Sequence, residues 1–159
     1  MSRHALRLEV EAFFYDYAAA LDEERFDVWP TLFDAQASRY EVLSRENVEL
    51  GLPVPIMGCY SHGMIRDRVA MLIEGTLTYR HMALLRQVSN VRVSPGDTQT
   101  LRAQAGLTVY QSSGEGVSSL YIVARYDASL IQDHGGLKIR EMKVIVDSFG
   151  IDTMLAVPL

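Results

Sequence analysis

Residues 98–111 read TQTLRAQAGLTVYQ, and they leave little choice of local structure. Leu101, Ala103, Ala105, Leu107 and Val109 alternate with Thr100, Arg102, Gln104, Thr108 and Tyr110. A period of two matches the two faces of a pleated strand, one buried and one more polar. Three neighbouring segments behave similarly: 84–93, 117–131 and 137–149. The turn-forming stretches SPGD, SSGEG and QDHGG lie between them. Segments this short of interruption predict a meander of long antiparallel strands, well beyond the usual five or six residues. Long strands twist and coil, and Gly106 inside one of them predicts a bend or bulge there.

The first half of the chain has a different period. Leu6, Val10, Phe13, Phe14, Tyr17 and Leu21 recur at spacings of three and four, one face of an amphipathic helix with Ser2 as its cap. FDVWPTLF at 26–33 reads as a short second helix with Asp27 as N-cap and Pro30 in its first turn. SRYEVL at 38–43 reads as a strand. Residues 44–60 carry Gly51, Pro53, Pro55 and Gly58 and read as a long loop. Ser61 then caps a third helix over 61–77, with Met64, Ile65, Val69, Leu72 and Ile73 as its apolar stripe.

Helices collected ahead of consecutive strands predict an α+β fold, a curved antiparallel sheet closing with the N-terminal helices into a cone. The chain has 159 residues and is 48% hydrophobic, enough for one domain over 1–159 with a real core. A net charge of −5 argues against a nucleic-acid binder and gives no basic surface for anionic lipid. One cysteine excludes an internal disulfide. Arg3, Arg7, Glu9 and Glu11 interrupt the first turns, so no secretory leader or membrane span is expected, and the chain reads as cytoplasmic.

Chemistry has few candidates. Cys59 and His62 in CYSHG stand three apart, but structural zinc needs four ligands and no second cysteine exists. The run-in to a helix is the plainer reading. His4, His62, His81 and His134 show no spacing suited to a two-histidine, one-carboxylate iron site. An isomerase or dehydratase working inside the cone would draw on Tyr15 or Tyr17 with Asp34 and a desolvated acid. The inward strand face carries no carboxylate, and Tyr17 on the apolar stripe fits a core tyrosine as well. A cone open inside could also serve as a small-ligand-binding module. Tyr79, Arg80, His81 and Arg86 gather interface-favoured residue types at a helix-to-strand junction. The apolar end, DTMLAVPL, predicts a segment docked on its own sheet or on a partner.

Five stretches in order, ALDEERFDVWPTLF, YEVLSRENVELGLPVPIM, MIRDRVAML, YRHMALLRQVSNVRV and VDSFGIDTMLAVPL, resemble the small (β) subunits of Rieske-type aromatic-ring-hydroxylating oxygenases. The likeness is greatest to systems acting on single-ring aromatic acids, such as salicylate hydroxylase and terephthalate dioxygenase. The resemblance implies the cone fold of nuclear-transport-factor-like and cystatin-like proteins. It implies a non-catalytic structural subunit, trimeric within an α3β3 hexamer. A Rieske iron–sulfur cluster and a mononuclear iron would lie in the large (α) subunit, with no cofactor in this chain. One cysteine agrees with that division, since a Rieske centre takes two cysteines and two histidines. Tyr79, Arg80 and His81, with Arg86 behind them, are the interface residues the resemblance favours. Asp67 and Arg68 also fall in a matching stretch, where an intrachain ion pair is an equal reading.

Overall fold

The computed structural model describes residues 2–77, 79–97, 99–148 and 150–159. Helix α1, Arg3–Asp22, is capped by Ser2, whose hydroxyl accepts from the Ala5 N–H. It buries Val10, Phe14, Tyr17 and Leu21, the stripe expected at spacings of three and four. Each such side chain taken from water stabilises the fold by about 1.5–3 kcal/mol.

The remaining elements are β1 (Arg39–Ser44), α2 (Arg45–Glu49), β2 (Met57–Cys59), α3 (His62–Ile73), β3 (Ala83–Pro95), β4 (Thr100–Ser112), β5 (Ser118–Asp133) and β6 (Gly136–Val146). They build a six-stranded sheet in the order β2-β1-β6-β5-β4-β3. The α+β class holds, with α1 lying in the concave face. Its Phe14 and Tyr17 rings stand 5.5 and 5.7 Å from the ring of Tyr126 on β5.

Several details depart from the sequence reading. The sheet is not wholly antiparallel, because β1 pairs parallel to β6 from Arg39↔Glu141 to Ser44↔Val146. Nor do all helices precede the strands, since β1 and β2 come before α3. The expected loop at 44–60 contains α2, capped by Ser44, and β2, paired with β1. The expected second helix reduces to a single 3-10 turn, Trp29–Leu32, with Pro30 at its start and no side-chain cap from Asp27. Pro30 supplies no N–H, which limits how far a hydrogen-bonded helix can begin ahead of it. Helix α3 stops at Ile73 because Gly75 takes a positive φ of 69° and turns the chain away. Thr98 and Phe149, at the ends of expected strands, lie outside the described residues.

The curvature has identifiable sources. β3 carries a bulge between Ser89 and Arg92, where Asn90 adopts φ 54°. β5 shifts register opposite Val109 and Tyr110, and again at Ser129 against β6. Gly106 pairs with Ser89, the last regular position before the first bulge, and a Cβ there would lie 2.9 Å from the Ser89 hydroxyl. The bend expected at Gly106 is thus made by its partner strand, with the glycine leaving room for it.

Candidate functional site

The interior of the cone is lined by aromatic residues and closed by the segment that follows β6. Trp29 stands edge-on to Phe33 and Tyr40, each at 5.1 Å. Among them lies Leu159, fully buried. The Tyr17 hydroxyl donates to the Leu159 oxygen at 2.8 Å, and the Leu159 N–H donates to the Tyr40 hydroxyl at 2.8 Å. Tyr40 donates a longer bond, 3.4 Å, back to the same oxygen. The apolar end is therefore docked against its own sheet, with the Leu159 side chain in the core.

Arg86 fixes this arrangement from β3. Its guanidinium is entirely buried, donates to the Asp22 carboxylate at the end of α1, and donates again to the Pro158 carbonyl. The Arg86 N–H completes a second bond to Asp22, at 3.0 Å. Arg86 thus joins α1, β3 and the closing segment. Its charge is spent inside the chain and is not presented on the surface.

Burial raises the hydroxyl pKa of Tyr17, Tyr40 and Tyr126 well above the ordinary tyrosine value. The Arg86 charge pulls each of them down, but loss of water outweighs it. These hydroxyls keep their protons and are poorly suited to exchange them near neutral pH. The acid–base reading also fails on geometry. Tyr15 is exposed and donates to Glu11 at 2.7 Å. Asp34 is held by Arg140 and the Gln36 N–H. Tyr15, Tyr17 and Asp34 do not converge.

CYSHG has a structural explanation. Cys59 is buried on β2 opposite Tyr40, and burial raises its thiol pKa, the reverse of an activated nucleophile. Ser61 caps α3 by accepting from the Met64 N–H at 3.2 Å, as expected. His62 Nε2 lies 3.0 Å from the Pro30 carbonyl oxygen and ties α3 to the 3-10 turn. Among the described residues no cluster of three or more histidine, cysteine or acidic side chains could hold a metal. One cysteine cannot supply the two that a Rieske iron–sulfur centre takes. Also among the described residues, no helix is long and apolar enough to cross a membrane.

The other expected site residues sit outside the cone, at its rim. A groove of about 430 Å³ runs between the start of β3 and the closing segment, lined by Tyr79, Arg80, Leu84, Tyr121, Met154 and Leu155 among others. Tyr79 is half-buried, and burial together with the Glu24 charge raises its pKa. Arg80 is exposed along the same wall. His81 is exposed and pairs with the Glu24 carboxylate. Tyr79, Arg80 and His81 are thus gathered on one surface, and Arg86 lies beneath it. Leu159, Tyr40, Tyr126 and Asp22 were not singled out as a cluster by the sequence. One signal did exist: Arg86 alternates with Leu84 and Val88 on the inward face of β3, where a charge demands a buried partner.

The chain is similar to known proteins along most of its length. A family model for ring hydroxylating beta subunits matches residues 17–153. The small subunit of anthranilate 1,2-dioxygenase from Burkholderia cepacia is 32% identical over 147 residues, covering 90% of this chain and 88% of that protein. The beta 2 subunit of the terminal oxygenase component of terephthalate 1,2-dioxygenase from Comamonas sp is 26% identical over 156 residues, covering 96% and 97%. A Novosphingobium aromaticivorans chain, assigned as the β subunit of an aromatic-ring-hydroxylating dioxygenase, superposes with a TM-score of 0.86 at 28% identity over 98% of both chains.

Proposed function

This chain belongs to the family of ring-hydroxylating β subunits, and from that premise we propose that it is the non-catalytic structural subunit of a multicomponent oxygenase. The complex hydroxylates an aromatic compound with a single carboxylated ring. The names of two relatives support that substrate class, since anthranilate and terephthalate are both single-ring acids. In this reading the chain acts as one cytoplasmic domain and associates as a trimer within an α3β3 hexamer. The Rieske cluster and the mononuclear iron are carried by the large subunit.

The observation that carries the non-catalytic role is the filled cone. Leu159 occupies the interior, and Tyr17 and Tyr40 are engaged with it. The rim groove is the surface offered to the large subunit. Tyr79 and Arg80 form its wall, and His81 stands beside it. Arg86 acts from behind by fixing the closing segment that forms the opposite wall.

The test is alanine substitution at Tyr79, Arg80 and His81, with the large subunit co-expressed. The amount of complex recovered should fall, while turnover per intact complex stays close to wild type. Full assembly with lost turnover would contradict the role assigned to these residues.

A further inference from the structure

The inside of the cone holds more hydrogen-bond donors than its packing needs. The Tyr17, Tyr40 and Tyr126 hydroxyls, the Trp29 indole and the Arg86 guanidinium come from five different elements, and all five residues are at least nine-tenths buried. The Leu159 oxygen takes two of these donors and the Pro158 carbonyl takes one. Among the described residues, Tyr126 Oη and Arg86 Nε have no hydrogen-bond partner, and the Trp29 indole is directed at the Tyr17 hydroxyl. Buried donors are almost always paired, and each one left over calls for an explanation. A surplus of donors around one acceptor is the pattern of a receptor.

We infer that the cone interior is a binding site for an acyl compound with a short branched alkyl chain, and that residues 158–159 are its resident occupant. The ligand's acyl oxygen would sit where the Leu159 oxygen accepts from Tyr17, and its alkyl chain would fill the space of the Leu159 side chain. The closing segment is held by side chains and reaches the sheet through an irregular link. The sheet ladder ends at Val146, and the link through Asp152, Thr153 and Met154 is exposed and joins no strand or helix. Arg86 and the closing segment also shape the rim groove, so the binding is read in this chain alone, where assembly with a large subunit plays no part.

The experiment starts from the full folded chain with a protease recognition sequence placed at 152–154, cut only after folding. The released peptide should stay bound through gel filtration. Millimolar 4-methylpentanoate or 4-methylpentanamide should displace it, as read by mass spectrometry of the protein fraction. Displacement by the acid alone assigns a carboxylate site, and displacement by the amide as well assigns a neutral acyl site. Tyr17→Phe with Tyr40→Phe should speed release of the peptide about tenfold or more, since two hydroxyl donors are lost. A peptide that neither compound displaces, and that the double variant holds equally well, would overturn the inference. If cutting unfolds the chain, uncut Leu159→Gly gives the second reading. Either compound should raise its melting temperature and leave that of the wild type unchanged; no rise in the variant would overturn the inference.

Discussion

Raising the pH above 10 should destabilise this chain steeply through three tyrosines. Tyr17, Tyr40 and Tyr126 are no more than 1% exposed, and burial holds each hydroxyl pKa above its ordinary value. In the unfolded chain the same groups lose their protons near the ordinary tyrosine value of about 10. Below that pH both states keep the proton, and the stabilisation is fully present. Above it the unfolded state binds fewer protons than the folded one, so stability falls as pH rises toward the folded-state values. Each tyrosine then withdraws about 1.4 kcal/mol per pH unit, and the three together about 4. Between pH 10 and pH 11.5 the three would remove roughly 6 kcal/mol, a large share of the 5–15 kcal/mol typical of a folded domain. The assay is the urea midpoint followed by circular dichroism from about pH 8 to pH 11.5. Tyr126→Phe should reduce the slope by about a third, at little cost near neutral pH because its hydroxyl has no partner. A flat midpoint across this range would refute the reasoning, because it would mean that water reaches all three hydroxyls in the folded state.

Other expectations rest on single residues. Leu159→Ala should cost about 2–5 kcal/mol and lower the melting temperature by roughly 5–15 °C in calorimetry; a shift within error would mean that the segment is not seated. Arg86→Met strands the Asp22 carboxylate and should cost about 3–5 kcal/mol in denaturant unfolding. The double variant with Asp22→Asn should lose less than the sum of the two single changes, whereas simple additivity would deny the coupling. Asn90→Val should destabilise the β3 bulge by about 1–2 kcal/mol, because a β-branched residue resists positive φ. Asn90→Gly should be close to neutral in the same measurement, and equal losses for both would count against the bulge geometry.

The fold was legible where its signals are local. The alternation of 98–111 and the stripe from Val10 to Leu21 each specify an element without help from elsewhere. What escaped depends on distant partners. Met57–Cys59 is a strand because β1 offers it an edge, and nothing in three residues that include Gly58 and follow Pro53 and Pro55 announces that. The parallel pairing of β1 with β6 joins residues about a hundred positions apart and leaves no periodic trace. The docked end was visible as an apolar run, but its seat was not, because Tyr17, Tyr40 and Arg86 meet only when α1, β1 and β3 close around it. Tyr79, Arg80 and His81 lie on one surface because the turn into β3 faces the rim, a placement their spacing alone could not give.

The most direct test of the subunit account is a tagged pull-down of this chain from its native cells, with a visible spectrum of the eluate. The account predicts a brown eluate containing a larger partner and a Rieske-like spectrum. A colourless eluate holding this chain alone, together with turnover of a small molecule by that chain, would contradict it.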